Sequence, residues 1–179
     1  RSLITDFAFY VSHLLRHKIP WLWYFHAIHH SQREMNPITP NRAHFFEDIV
    51  NVAIHTVPIA FVGGSYPTWF VFTFLNSIWG CFIHSNVRIN LGFLGRFIVS
   101  PQYHRVHHSM QREHFDMNYG ERLTLWDYLF RTLHADREIY PETGVKDFPD
   151  EIAPGAAKNV FLLWAQQTTY PFVMIGRSI

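Results

Sequence analysis

Histidine is the residue type whose number and spacing stand out in this sequence. The chain has 13 histidines in 179 residues. Imidazole is the commonest side-chain ligand for metal ions and suits iron, zinc and copper. Nine of the histidines form three short clusters and one single position: His13 and His17, then His26, His29 and His30, then His84, then His104, His107 and His108. This grouping predicts a metal site.

The spacing within the clusters is typical of helices that present their ligands on one side. Residues i, i+3 and i+4 lie close together on a helix surface. The pair His13/His17 has the i, i+4 spacing, and the two HxxHH triplets have both spacings. Each triplet is therefore predicted to place three imidazoles along one stripe of a helix.

The number of ligands predicts two metal ions. Nine imidazoles, supplemented by water or by the side-chain oxygen of Asn86, give two ions four or five ligands each. One zinc ion would use only three or four of them. Soluble di-iron bundles instead use glutamates and Glu-x-x-His motifs, and this chain has no Glu-x-x-His motif.

The remaining composition excludes several other classes of protein. A formal net charge of +1 gives no field that would favour nucleic acid. The single cysteine, Cys81, excludes an internal disulfide framework and a cysteine-rich zinc site. The length predicts one domain covering residues 1–179.

A helical hairpin at about residues 47–84 is predicted from a stretch without charge. Residues 49–87 contain no Asp, Glu, Lys or Arg, and residues 63–67 read GGSYP, a turn. Each arm has roughly the 20 residues that cross a membrane core of about 30 Å. Buried helices of a soluble protein are the alternative, because Asn51, His55 and Asn76 interrupt the apolar arms. Arginines flank the hairpin ends, which predicts that the histidine clusters lie on the cytoplasmic side.

The other segments are predicted to form helices, which makes the fold all-α. Breakers and apolar periodicity predict helices at residues 7–16, 21–31, 102–112, 123–133 and 159–169. Ser100 is the predicted N-cap of the helix that begins near Pro101. Residues 135–157 are predicted to be an irregular cap, and the histidine-rich di-metal site is predicted to lie in a cytoplasmic helical cap on the membrane hairpin.

The motifs resemble those of the fatty acid hydroxylase/sterol desaturase superfamily of membrane non-haem di-iron enzymes. The clusters match its HxxxH, HxxHH and HxxHH boxes, and residues 100–109 (SPQYHRVHHS) are very similar to its third box. Residues 116–120 (DMNYG), followed by residues 125–127 (LWD) and 129–132 (LFRT), are similar to a further signature of the family, in which Arg131 replaces the usual glycine. Residues 42–47 (RAHFFE) resemble another family stretch. Members usually carry further membrane helices before the first box, so an N-terminally incomplete domain is expected.

The resemblance implies an enzyme that hydroxylates or desaturates an unactivated C–H bond of a lipid. It implies two iron ions (or zinc in the isolated protein), O2, a membrane environment and electrons from a separate reductase or electron carrier. The implied metal ligands are the nine clustered histidines. Side chains that orient the imidazoles are also expected, and the candidates are Glu47, Asp116, Asn118 and Asp127.

Two other functions stay open from the sequence. One is a membrane protein that binds or transports metal without catalysis, and the other is an inactive protein that keeps the fold. The sequence does not choose between a sterol, a fatty acyl chain and another lipid. Of the four remaining histidines, His44 is expected beside the site or as a ligand, and His55 in a packing role or in the substrate channel. His114 and His134 are expected at the surface or as caps.

Overall fold

The computed structural model describes residues 2–62, 66–146, 148–149 and 160–178, and its regular structure is helical. Within these ranges there is no β-strand, and two isolated bridges pair Ile98 with Leu123 and Ser109 with Thr143. The prediction of an all-α fold is therefore confirmed. The helices are α1 (Ser2–Lys18), α2 (Pro20–His30), α3 (Phe45–Val62), α4 (Tyr66–Ile83), α5 (Pro101–His107), α6 (Leu125–Phe130) and α7 (Val160–Ser178).

Two prolines start the helices that carry the HxxHH clusters. Pro20 occupies the first turn of α2, where its missing N–H breaks no helical hydrogen bond. Pro101 has the same position in α5, and the Ser100 hydroxyl accepts a hydrogen bond from the Tyr103 backbone N–H at 3.1 Å. The predicted N-cap is thus confirmed.

Two helices are shorter than predicted because tertiary pairing ends them. α5 stops at His107 instead of continuing to residue 112, since the following residues pair with the segment 142–144. The Met110 N–H donates to the Glu142 carbonyl and the Gly144 N–H donates to the His108 carbonyl, both at 3.1 Å. α6 ends at Phe130 instead of residue 133, because Arg131 adopts the left-handed conformation, with φ 60°, and the Thr132 carbonyl accepts a hydrogen bond from the distant Asn118 N–H at 2.7 Å.

The predicted hairpin is present as two consecutive helices, α3 and α4, and residues 63–65 between them lie outside the described residues. None of the helices in the described ranges combines the length and the apolarity needed to cross a membrane. α7 is longer than predicted and continues through Pro171. In the predicted irregular segment 135–157, residues 147 and 150–157 lie outside the described part of the chain.

The helices pack around an interior that is unusually polar. α1 packs against α2 and α3, α7 packs against α2, and α4 contacts α5. Among the described residues, 24 buried ones are polar or charged and 11 are hydrophobic. Buried polar groups are costly unless they are paired. The interior is thus organised around the histidines, and large apolar side chains occupy much of the surface.

Candidate metal centre

All nine clustered histidines converge in the structure, and they form two separate groups. Within each group the ring nitrogens that face one another all lie within 4.8 Å, so each group could hold a metal ion. Group 1 comprises His13, His17, His26, His30 and His107, and group 2 comprises His29, His84, His104 and His108. Every one is buried except His17, which is half-buried.

Each HxxHH triplet is divided between the two groups. In α2, His26 and His30 belong to group 1 and His29 belongs to group 2. In the α5 triplet the assignment is reversed: the middle histidine, His107, belongs to group 1, and His104 and His108 belong to group 2. A helix turns about 100° per residue, so i+3 lies about 60° to one side of i and i+4 about 40° to the other. One helix can therefore serve both groups.

Hydrogen bonds at Nδ1 fix how three of these imidazoles face the groups. His13 lies 2.9 Å from the Tyr119 carbonyl, His107 lies 2.8 Å from the Met117 carbonyl, and His84 lies 2.8 Å from the Gly80 carbonyl. Because a carbonyl oxygen only accepts, each Nδ1 carries the proton. The lone pair of each ring is then at Nε2, the atom that a metal would bind.

The Nε2 atoms approach one another closely within both groups. In group 2, His84 Nε2 lies 2.9 Å from that of His104 and 3.1 Å from that of His29. In group 1, His30 Nε2 lies 3.2 Å from that of His26, and His107 Nε2 is buried without a hydrogen-bond partner among the described residues. Lone pairs held this close repel each other unless a proton or a cation lies between them. The donor sets therefore fit a cation in each group.

Burial also keeps these imidazoles neutral, which is the form that binds metal. It lowers the pKa of His29 to about 3, and the charge that His84 would carry lowers it further. Burial likewise lowers the pKa of His107 to about 3, although the bond to the Met117 carbonyl opposes the shift. At neutral pH a metal ion would not compete with protons for either ring.

A left-handed loop at residues 116–120 supplies two of the carbonyl acceptors. Asp116 and Asn118 have φ values of 62° and 60°, a conformation that Asn and Asp tolerate better than other residues with a side chain. The alternation turns the carbonyls of Met117 and Tyr119 towards His107 and His13. The D-x-N pattern is thus a backbone requirement of group 1.

Asp127 holds this loop in place from α6. Its side chain is fully buried and accepts four hydrogen bonds: Oδ1 from the Tyr119 N–H at 2.8 Å and the Thr132 hydroxyl at 2.6 Å, and Oδ2 from the Gly120 N–H and the Tyr103 hydroxyl, each at 2.6 Å. Burial raises the pKa of Asp127, and the four donors oppose that shift. Asp127 acts on the histidines through the loop backbone.

Glu47 acts on group 1 directly. Its Oε1 lies 2.5 Å from His26 Nδ1 and accepts a hydrogen bond from Arg16 Nη1 at 3.0 Å. All three side chains are buried, and Arg16 is also fixed by the carbonyl and the hydroxyl of Ser12. The guanidinium offsets the charge of the carboxylate, which in turn orients the imidazole.

The other predicted auxiliary residues lie further from the rings. Asp116 accepts hydrogen bonds from Lys18 and from the Tyr119 hydroxyl, each at 2.7 Å. Asn118 bonds the Tyr103 carbonyl through its amide group and the His134 N–H through its oxygen. The oxygen of Asn86, proposed as an extra ligand, is instead exposed and accepts hydrogen bonds from Arg105 and Tyr140.

The histidines outside the clusters have structural contacts. His44 Nδ1 accepts the Phe46 N–H at the start of α3, and its Nε2 donates to the Thr168 carbonyl on α7. His114 is buried with Nδ1 2.8 Å from the Ser109 hydroxyl, so its predicted surface position is wrong. His134 is half-buried and packs its ring edgewise on His114. The side chain of His55 lies outside the described residues.

A cavity of about 630 Å³ opens onto both groups. Its walls come from α1, α3 and α4, and it reaches His13 and His26 of group 1 and His29, His84 and His104 of group 2. This volume lies within the range of sites that bind small organic molecules, about 300–1,000 Å³. A bound molecule would thus lie against both histidine groups at once.

Comparison with known proteins agrees with this arrangement. The fatty acid hydroxylase family model matches residues 2–132, which include all nine clustered histidines. The chain therefore belongs to the fatty acid hydroxylase family. No solved structure matches it.

Its relatives are enzymes named for lipid substrates. The chain is 33% identical to the ornithine lipid hydroxylase OlsE of Rhizobium tropici, over 74% of this chain and 40% of that protein. It is 32% identical to the alkylglycerol monooxygenase of Homo sapiens, over 75% of this chain and 30% of that protein. It is 29% identical to the Delta(7)-sterol-C5(6)-desaturase of Nicotiana tabacum, over 73% of this chain and 47% of that protein. The match thus covers less than half the length of each.

Proposed function

We propose that this chain is the catalytic part of an O2-dependent oxidoreductase that hydroxylates or desaturates an unactivated C–H bond of a lipid. The observation that carries the proposal is the cavity of about 630 Å³ that contacts both histidine groups. A lipid segment bound there would lie against two candidate metal sites. The names of the relatives, a hydroxylase, a monooxygenase and a desaturase, support the reaction class.

Group 1 and group 2 would each hold one iron ion, and zinc is the expected substitute in isolated protein. The ions would supply the O2 reduction and C–H oxidation for which amino-acid side chains have no equivalent. The protein's part is to hold neutral imidazoles in position through Glu47, the loop 116–120 and the Gly80 carbonyl. Burial of the rings excludes bulk water from the reacting centre.

The surface of α3 and α4 supports a lipid environment for the substrate entrance. Large apolar side chains are exposed on the first turns of α3 and along α4, among them Ile49, Val52, Phe70 and Phe74. Contiguous exposed apolar surface marks contact with a membrane or another protein. We propose that this surface contacts the membrane, that the metal centre lies on the cytoplasmic side, and that a separate reductase or electron carrier supplies electrons.

Metal content and lipid oxidation test the proposal together. The full-length protein would be reconstituted in lipid vesicles with iron, a chemical reductant and isotopically labelled O2. We expect about two metal ions per chain and mass-spectrometric detection of oxidised lipid, with none under anaerobic conditions. One ion or none would reject the dinuclear site. Two ions without oxidation of any supplied lipid would favour the alternative of a metal-binding or transport protein.

A pair of matched variants links the metal to the site. Glu47→Gln keeps the side-chain volume but removes the charge that orients His26, so metal affinity should fall roughly 10- to 100-fold. Glu142→Gln makes the same change at an exposed position and should keep the wild-type affinity. Equal affinities in the two variants would contradict the role of Glu47.

A further inference from the structure

Tyr119 places a phenol directly against the candidate metal centre. Its side chain is fully buried, and its ring lies edgewise against three histidines of group 1. The ring centroids lie 5.8 Å from His13, 5.1 Å from His17 and 5.6 Å from His107. The hydroxyl does not orient these imidazoles, because the bond to His13 comes from the Tyr119 carbonyl. The ligand arrangement therefore leaves the phenol without a function.

A carboxylate connects this buried hydroxyl to the outside of the protein. The Tyr119 hydroxyl donates to Asp116 Oδ1 at 2.7 Å, and Asp116 Oδ2 accepts a hydrogen bond from Lys18 Nζ at 2.7 Å. The side chains of Lys18 and Asp116 are 47% and 50% exposed. The phenol is thus one hydrogen bond away from a carboxylate that exchanges protons with water.

Trp23 is another aromatic side chain beside group 1, but it has no such connection. Its ring centroid lies 4.9 Å from that of His17 and 5.3 Å from that of His30. None of the described residues accepts a hydrogen bond from its indole N–H. The four histidines of group 2 have ring contacts only with other histidines in the described part of the chain. Tyr119 therefore combines contact with the centre and a proton acceptor.

This combination is what a one-electron donor inside a protein requires. An aromatic ring that loses an electron becomes a cation, and an unpaired buried charge is expensive. An oxidised phenol is a strong acid, so the charge disappears when the hydroxyl proton has an acceptor. Asp116 is in place to accept it. Because the phenol ring is in edge contact with the imidazoles, the electron crosses no intervening side chain.

We propose that Tyr119 is a redox-active residue that donates one electron to oxidised iron in group 1 when no lipid occupies the cavity. This inference rests on the proposed function, which supplies the oxidant, namely iron that has reacted with O2. The phenol ring loses one electron to the iron, the O–H bond breaks, and the proton passes to Asp116, which leaves a neutral tyrosyl radical. The separate electron carrier then returns one electron, and the proton returns from Asp116 to the phenol oxygen. The oxidising equivalent is thus consumed by a residue that can be restored, and the ligand imidazoles are spared.

The tyrosyl radical is itself the readout, so the test needs no lipid turnover. The full-length protein would be loaded with ferrous iron without oxygen, in a fluorinated detergent whose chain offers few C–H bonds. It would then be mixed with O2 in the absence of lipid and electron carrier, frozen rapidly and studied by EPR. Wild-type protein should give a tyrosyl signal whose hyperfine splitting changes when the tyrosines are ring-deuterated.

Two tyrosine variants assign the radical to its residue. Tyr119→Phe keeps the ring and the backbone carbonyl that holds His13, so it should keep the metal and lose the signal. Tyr128→Phe makes the same change at a tyrosine that is 72% exposed and should keep the signal. The proposal is wrong if the signal persists in Tyr119→Phe, or if wild-type protein gives none although its iron is oxidised.

Asp116→Asn tests the proton step, and it serves if Tyr119→Phe does not fold. Asparagine can still accept the Tyr119 hydroxyl but does not take up its proton, so the radical yield should fall while the metal content stays that of the wild type. A wild-type radical yield in Asp116→Asn would overturn the step as written.

Peptide mass spectrometry tests the protective role. Without the phenol, oxidation should reach the ligands, and the peptides that contain His13, His17 and His107 should carry more added oxygen in Tyr119→Phe than in Tyr128→Phe. Equal oxygen addition in the two variants would overturn this role.

The result is separable from the proposed function. A radical at Tyr119 without oxidation of any supplied lipid rejects the proposed reaction, and the redox role of Tyr119 stands. Lipid oxidation by a protein that forms no radical at Tyr119 rejects only the redox role. Bound iron that O2 does not oxidise rejects both.

Discussion

Asp127→Asn should weaken group 1 and leave group 2 intact, although Asp127 contacts no histidine. Each carboxylate oxygen accepts one backbone N–H, from Tyr119 at Oδ1 and from Gly120 at Oδ2. An asparagine must direct its NH2 group at one of these two donors, whichever way the amide is turned. The substitution therefore breaks hydrogen bonds in either orientation.

The size of the effect follows from the number of bonds lost. At the oxygen that becomes NH2 the backbone N–H loses its acceptor and the hydroxyl must turn to accept, so at least one hydrogen bond is lost and the remaining ones lose the charge of the carboxylate. A hydrogen bond to a charged group contributes about 1.5–3 kcal/mol. Relief from burying a charge offsets part of this loss, and a net destabilisation of about 3 kcal/mol is expected. For a chain of this size that lowers Tm by roughly 6–12 °C.

The metal effect should be specific to one group. The loop that Asp127 holds supplies the carbonyl acceptors of His13 and His107, and both belong to group 1. Loss of such partners typically lowers metal affinity by roughly 10- to 100-fold. At limiting free metal the variant should retain about one ion per chain where the wild type retains about two.

The assay is metal content after dialysis at fixed free metal, together with thermal unfolding. Asp116→Asn is the matched control, since asparagine also tolerates φ 62° and its oxygen can still accept the Tyr119 hydroxyl. The exposed ion pair with Lys18 that it loses contributes roughly 0–1 kcal/mol. Asp116→Asn should keep both ions and nearly the wild-type Tm. If Asp127→Asn behaves like this control, the loop does not position group 1 and the reasoning fails.

Three further measurements address the ligands, a helix end and the topology. His107→Ala should lower metal content and abolish lipid oxidation, whereas His134→Ala should change the free energy of unfolding by at most about 0.5 kcal/mol. If His107→Ala keeps the wild-type metal content, His107 is not a metal ligand. Arg131→Gly should stabilise the fold by about 0.5–1 kcal/mol, because glycine adopts φ 60° without steric cost, and an unchanged or lower Tm would contradict this explanation. Cysteines introduced at Ser65 and Gln111 should label from opposite sides of intact membranes, and labelling from the same side would reject a spanning hairpin.

The sequence was sufficient to predict which histidines converge, because residue type and helical spacing are both local properties. Their convergence from α1, α2, α5 and the end of α4 follows the predicted order of helices. Each triplet was predicted to lie along one stripe of a helix, whereas the structure divides it between the two groups, because i+3 and i+4 lie on opposite sides of i. Glu47 was identified as a candidate auxiliary residue, and its Oε1 lies 2.5 Å from His26 Nδ1.

Other features depend on the backbone and could not be predicted in this way. The acceptors for His13, His84 and His107 are main-chain carbonyls, which every residue possesses, so residue type carries no signal for them. Only the left-handed alternation at Asp116 and Asn118 leaves a trace in the sequence. The early ends of α5 and α6 were missed because pairing with distant segments, not local propensity, ends them.

The distribution of ligands along the chain also sets an order of metal loading during synthesis. Four of the five group 1 histidines lie within residues 13–30, whereas group 2 has only His29 in that stretch. A ribosome that has released α1 and α2 has therefore completed most of one site and almost none of the other. If each group binds one ion as proposed, the first would join two newly made helices while the rest of the protein is still being translated, and the second would wait for α4 and α5. Under the proposed function, chains made when iron is scarce would then carry a single ion, in group 1.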